Sequence, residues 1–259
     1  PNAQYHSVVP DEVKWLLKHL PYYARWYRFL LFWPGSDGLL PSLVTDPDWP
    51  HQGRSVCELN DFARQHMTDW IESQLPENSA LRPKVVPDYP PFVKRMLQDN
   101  GSWLRALQQD NADLITDAIT RIEEHGIVCG DTLHEVDVII YATGFDNHRW
   151  LYPINIVGRG GKVLANEWGD DPQANLGITV PGYPNLFCIY GPATNLAHAG
   201  SLVFNSECQV RYILGCIGAI LENNCQLMEC TEEANTDYNE RSQDWVKQLV
   251  WASDSANNW

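Results

Sequence analysis

The segment Val136–Asp146, Val-Asp-Val-Ile-Ile-Tyr-Ala-Thr-Gly-Phe-Asp, constrains the fold more than any other stretch of this chain. Val136, Val138, Ile139 and Ile140 form an apolar, β-branched run of strand length that stops at Ala142-Thr143-Gly144. A run apolar on both faces suits an interior strand of an α/β sheet. Small residues at its carboxyl end let a ligand approach the backbone, and α/β sheets bind ligands at that end. The expectation is a buried central strand over Val136–Tyr141, with Thr143-Gly144 facing a cavity. Taken alone, an ordinary buried strand ending in a turn fits the segment equally well.

Elsewhere the periodicity predicts mostly helices. Asp11 is placed to cap a helix through Trp15, Leu16, Leu17 and Leu20, ended by Pro21. Tyr22–Trp33 is dense in aromatic residues at helical spacing and reads foremost as a helix packed on its neighbours. A wall of a substrate pocket or a membrane-surface element are the other readings. Arg25 and Arg28 alternate with the rings, so cation–π contacts are expected. Pro34–Gly53 reads as a long loop, and a helix is expected from Asn60 or Asp61 to about Gln74. Pro76–Pro91 returns to loop, in which Pro90-Pro91 rigidly orients the residues after it. Ala112–Ile119, Thr120–Val128 and Thr132–Ile140 read as β segments, with a turn at Gly130-Asp131. Gly158-Arg159-Gly160-Gly161 lacks both the Gly-x-Gly-x-x-Gly spacing and a Lys-Ser/Thr pair, and is expected to be a hairpin turn. Leu186–Tyr190 reads as a short strand, Ser201–Glu222 as the strongest helix, and Thr231–Val250 as the last one.

Composition narrows the function classes. The chain has 259 residues, enough for one large core or two small ones. Its net charge of −15 argues against a nucleic-acid or anionic-membrane surface. No apolar run approaches membrane-spanning length. The seven cysteines are odd in number and form no Cys-x-x-Cys pair, which argues against zinc sites and a disulfide framework and for buried thiols in a reducing, cytoplasmic setting. The eight histidines show no metal-ligand spacing, so no metal is expected. Ser201 and His198 do not make a hydrolase, because Ser201 is followed by Leu-Val rather than sitting in a Gly-x-Ser-x-Gly elbow.

Two further stretches carry chemistry. Val-Pro-Asp-Tyr-Pro-Pro-Phe-Val-Lys-Arg-Met-Leu-Gln-Asp-Asn occupies Val86–Asn100, and Gly182–Tyr212 runs from Gly-Tyr-Pro-Asn-Leu-Phe through Gly-Pro-Ala-Thr-Asn-Leu-Ala-His-Ala-Gly-Ser to Glu-Cys-Gln-Val-Arg-Tyr. Together with the strand followed by Ala-Thr-Gly-Phe-Asp, their order and spacing resemble the flavin-containing and Baeyer–Villiger monooxygenases, nearest to the 4-hydroxyacetophenone monooxygenase type. The resemblance covers most of the chain.

The resemblance implies an α/β fold, an incomplete two-dinucleotide-binding-domain flavoprotein with a helical insertion. Residues 1–132 would be the later part of an NADP-binding domain, with the insertion at about 11–75. Residues 133–259 would be the returning part of an FAD-binding domain. Arg95 matches the family's catalytic arginine, whose fixed guanidinium would stabilise an anionic flavin peroxide. Lys94 matches a lysine near the nicotinamide-cofactor phosphate, although a solvated pair of cations is the plainer reading. Family members often carry Gly or Cys where Val93 stands. The resemblance places Ala142, Thr143, Gly144, Phe145 and Asp146 against the cofactors, with Gly191, Asn195 and Leu196 at the flavin edge. There, the amino end of the following helix would attract electron-rich oxygen; an ordinary loop with Ser201 as a cap is the alternative. Trp259 matches a family tryptophan over the nicotinamide.

Neither Gly-x-Gly-x-x-Gly fingerprint of the family occurs, nor its Phe-x-Gly-x-x-x-His-x-x-x-Trp motif. The expectation is a C-terminal fragment, inactive alone, whose partner is the remainder of the parent polypeptide. The parent would use FAD, NADPH and O2 to convert a small-molecule ketone into an ester or lactone. Heteroatom oxygenation is the enzymatic alternative, and a non-catalytic remnant acting as a binding module is the alternative from another class.

Overall fold

The structure, a computed structural model, describes residues 8–95, 100–146, 149–196 and 200–253. It divides into two compact units that alternate along the chain. One comprises Pro1–Val8, Phe62–Asp88 and Leu97–Phe145; the other comprises Val9–Asp61, Tyr89–Met96 and Asp146–Trp259.

In the unit that includes Phe62–Asp88, helix α4 (Glu58–Glu72, shared with the other unit), α5 (Arg82–Val85) and α6 (Ser102–Leu107) enclose a small core of Leu75, Val85 and Leu104. A three-stranded antiparallel sheet comes next in the chain: β1 (Ile119–Glu123), β2 (Gly126–Cys129) and β3 (Thr132–Glu135). Its register pairs Ile122 with Ile127 and Val128 with Leu133. The turn at Gly130-Asp131 falls as expected, with Gly130 at φ 57°. Ala112–Ile119 contributes only its last residue, and the second β segment is in fact two strands reversed at Glu124-His125. That turn carries no Gly or Pro of its own. The signal lies one residue later, at Gly126, where a Cβ would collide with the His134 carbonyl oxygen.

The expected central strand is not formed. Beyond β3 one backbone bond remains, Val136 N–H to His125 O at 3.1 Å. The segment then runs on without a ladder partner among the described residues. Val138 is 74% exposed, Ile140 86% and Phe145 94%. A strand is buried only when other elements cover both its faces, and here Ile139 is half-buried while Val136, Val138 and Ile140 are exposed. Gly144 does adopt the left-handed φ of 86° that suits a sharp stop.

The other unit holds α1 (Asp11–His19), α2 (Tyr23–Asp37), α3 (Leu40–Leu43), α7 (Leu164–Trp168), α8 (Leu202–Glu222) and α9 (Glu232–Val246). One core cluster in it gathers Leu164, Trp168, Ala174, Val180, Tyr183 and Cys188. Ser201 caps α8 by accepting from Phe204 N–H, and Thr231 caps α9 by accepting from Ala234 N–H. Helix α2 continues three residues past Pro34, where a stop was expected. Its rings do not enter a core: Trp26, Phe29, Leu30, Leu31 and Trp33 are exposed, and the aromatics pack on one another, Trp26–Phe29 and Phe29–Trp33 each at 5.3 Å between centroids. Arg25 lies over the Tyr22 ring as expected. Gly158–Gly161 is a turn, closed by Gly158 N–H to Lys162 O and the Val157–Val163 bridge. Leu186–Tyr190 forms no strand; Cys188 N–H makes a single bond to Ile178 O. All seven cysteines are free thiols, but only Cys129, Cys188 and Cys216 are buried, so the expectation of mostly buried thiols is not met. Among the described residues, no helix is long and apolar enough to cross a membrane.

Candidate functional site

The site is built outward from a buried asparagine. Asn60, in α4, is wholly buried; its Nδ2 donates to Ser42 O at 3.0 Å and Pro91 O at 3.3 Å, and its Oδ1 accepts from Val56 N–H. One amide thereby joins α3, the start of α4 and the Pro90-Pro91 pair, each bond contributing about 1 kcal/mol net. Next to it, Asp61 accepts from Ser55 Oγ at 2.8 Å and from Arg54 Nε at 3.0 Å. Burial pushes the Asp61 carboxyl up, but the Ser55 and Arg54 contacts outweigh it and hold its pKa below the usual value.

Pro90, Pro91, Phe92 and Val93 are all buried. Phe92 takes a left-handed φ of 69°, and its carbonyl accepts from Trp251 Nε1 at 3.0 Å. The proline pair and these two ties fix the direction in which Lys94 and Arg95 emerge. Val93 is well packed, so the departure from the family's Gly or Cys is accommodated as a core residue. Lys94 Nζ lies over the Tyr89 ring at 5.6 Å.

Arg95 Nη2 donates to Asn195 Oδ1 at 3.0 Å, across a hundred residues of sequence. The same oxygen accepts from Tyr190 Oη at 2.6 Å, and Tyr190 Oη in turn accepts from Leu196 N–H at 3.1 Å. Tyr190 itself has φ 56°, a left-handed conformation costly for an aromatic residue. Its N–H donates to Gln209 Oε1, which projects from α8, at 2.7 Å. Gly191 sits where a Cβ would strike the Gly177 carbonyl oxygen, so only glycine lets these two loops touch. Asn195 borders an open cavity of about 440 Å³, with Leu176, Ile178, Leu196 and Tyr212 among its walls. Burial, and then Cys216, pushes the Tyr212 phenol up, so it stays neutral there. At the amino end of α8, Arg28 Nη2 donates to the capping Ser201 Oγ at 3.2 Å. Ser201 is thus a helix cap.

Of the residues singled out in the sequence, the structure brings Arg95, Asn195 and Leu196 into one hydrogen-bonded group through Tyr190, with Lys94 next to Arg95 and Gly191 next to Tyr190 in the chain. Ala142, Thr143, Gly144 and Phe145 belong to the other unit and are exposed. Asp146 pairs with Arg149 at 3.0 Å. Trp259 and His198 lie outside the described residues. Asn60, Tyr190, Gln209 and Trp251 escape sequence reasoning: each looks like an ordinary helix or loop residue, and only long-range contact gives it a task.

No family model matches the chain. It is 39% identical over 254 residues, 97% of its length, to an uncharacterized monooxygenase, y4iD, of Sinorhizobium fredii, and covers 38% of that protein. It is 34% identical over 180 residues to a Baeyer–Villiger monooxygenase of Pseudomonas aeruginosa, covering 69% of this chain and 34% of that one. Among solved structures, OTEMO in complex with FAD and NADP superposes with a TM-score of 0.69 at 26% identity, over 78% of this chain and 38% of that one. The chain therefore spans little more than a third of the length of the curated relatives it matches. Its neighbours have an α/β fold, although the strands described here form only the antiparallel sheet. With sequence relatives and a structural neighbour agreeing, the chain belongs to the flavin-dependent monooxygenases.

Proposed function

We propose that this chain contributes the Arg95 site to an FAD- and NADPH-dependent Baeyer–Villiger monooxygenase. The complete enzyme would insert one atom of O2 into a ketone to give an ester or lactone, and the other would leave as water with electrons from NADPH. Residues 1–132 would complete an NADP-binding domain with a helical insertion at about 11–75, and residues 133–259 an FAD-binding domain. The cofactor-facing roles of Ala142, Thr143, Gly144, Phe145, Asp146, Gly191 and Trp259 belong to the same proposal.

The donor set fits the electron-rich edge of a flavin. Arg95 is an exposed cation held by a protein partner, and the dipole of the 21-residue α8 makes its amino end favourable to negative charge. The pyrophosphate-binding glycine fingerprints are not in this sequence. When bound, FAD supplies oxygen activation and NADPH the reducing equivalents. Arg95 holds the negative charge that builds on oxygen in the oxygenation step, with a guanidinium that ordinary pH cannot discharge. Lys94, fixed over Tyr89, adds positive charge for the nicotinamide-cofactor phosphate. Leu176, Ile178 and Leu196 give the open cavity beside Asn195 an apolar wall that suits an uncharged organic substrate.

The observation that carries this reading is the 3.0 Å bond from Arg95 to Asn195, which joins two of the three resembling motifs at one point. In the complete enzyme, Arg95→Ala should leave flavin reduction by NADPH intact and lower product formation by about a hundredfold or more, the scale of one lost oxyanion donor. Arg95→Lys should restore little, because an ammonium cannot reproduce the planar fork. Near-normal ester yield from the alanine variant would reduce Arg95 to a surface cation.

A further inference from the structure

We propose that Asn195 is a positioning residue for Arg95, itself set by Tyr190 and Gln209, an inference that rests on the proposed role of Arg95. Four observations converge. Asn195 Oδ1 accepts from both Arg95 Nη2 and Tyr190 Oη, so one oxygen is pinned from two sides. Tyr190 Oη is itself held by Leu196 N–H, which leaves its proton directed at Asn195. The Tyr190 backbone is in the left-handed region, an unfavourable state for a bulky residue that persists only when its surroundings impose it. Gln209, 5% exposed, imposes it by accepting the Tyr190 N–H from α8, a well-capped 21-residue helix.

The arrangement transmits rigidity from a long helix to the tip of a side chain. Arginine carries four flexible torsions, and a guanidinium serves an oxyanion only when its fork is fixed in place before the charge appears. The Asn195 carbonyl oxygen takes one N–H of that fork without neutralising it, as a carboxylate would. Asn195 is therefore suited to orient the cation through a bond that does not itself cancel its charge.

The first test needs no cofactor. The 259-residue chain is treated with phenylglyoxal and the modification of each arginine is followed by peptide mass spectrometry. Asn195→Ala and Tyr190→Phe should raise the rate at Arg95 by about three- to tenfold, and leave Arg241 on α9 at its original rate. A rise at Arg241 as well would mean general loosening and would overturn the specific role, as would an unchanged rate at Arg95. The second test uses the complete enzyme. Asn195→Ala should lower product formed per NADPH oxidised by about tenfold in the native background and not at all in the Arg95→Ala background, since residues acting as a unit are non-additive. Asn195→Asp retains an acceptor for both bonds and should restore the reduced labelling at Arg95. If Arg95→Ala is itself without effect on product, the role of Arg95 falls. If Arg95→Ala is crippling but Asn195→Ala is normal, only the positioning inference falls.

Discussion

The two most informative stretches of the chain meet opposite fates. Tyr89–Arg95 is tied down at Pro91, Phe92 and Arg95, through Asn60, Trp251 and Asn195. Val136–Phe145, more apolar and more strand-like in sequence, has one backbone bond at its start and then runs exposed. The difference is one of where the partners reside. The prolyl segment is completed by residues of its own unit, through polar bonds that each need only one specific partner. An interior strand needs whole neighbouring strands and covering helices, and the described residues of its unit supply none.

That contrast can be broken by measurement. The largest effect is expected at Asn60. Asn60→Ala strands the buried carbonyls of Ser42 and Pro91 and the Val56 N–H, and should cost about 2–4 kcal/mol by urea unfolding at constant m. A loss below about 1 kcal/mol would show that the prolyl segment is held by packing alone.

Next comes a paired test within the other unit. Val128→Ala, at a buried position of β2, should cost about 1–3 kcal/mol, whereas Ile140→Thr should change stability by less than about 0.5 kcal/mol. Equal losses would mean that the Val136–Phe145 run is buried in solution. The smallest effect concerns Asp61. Its folded pKa is lowered, so the stability it contributes is complete above the ordinary carboxylate value near 3.8 and is lost as pH falls through the lower folded value. Asp61→Asn should flatten the acid limb of the stability–pH profile and leave the profile near pH 7 parallel to the native one. An unchanged acid limb would show that the Ser55 and Arg54 contacts do not hold the Asp61 carboxyl down.

Much of the helical skeleton was legible because it is written locally. The α8 and α9 caps are Ser201 and Thr231, a hydroxyl residue before a periodic run, and the Gly130 turn and Gly158–Gly161 reversal arise from glycine at positive φ. Arg95 and Asn195 were legible as types, a cation after a stiff segment and a polar residue before a strong helix. Their bond to each other was not, because nothing in either stretch encodes a partner a hundred positions away. The aromatic run of α2 shows the converse limit: its spacing encodes the helix but not its burial, since a ring buries itself only if a neighbouring surface arrives to cover it.

The sequence by itself therefore determined the Ser201 and Thr231 caps, the Gly130 and Gly158–Gly161 turns, the stiff prolyl segment that ends in the Arg95 cation and membership in a family of flavin-dependent monooxygenases. It did not determine the starts of α1 and α4, where Asp11 and Asn60 lie inside the helix rather than capping it. The tertiary structure alone decided that Asn60 anchors the prolyl segment, that Tyr190 is held left-handed by Gln209, and that Asn195 receives Arg95. The physical reason is range. Caps and turns depend on backbone torsions within a few residues, whereas burial and shared hydrogen bonds depend on which distant surfaces the folded chain brings together.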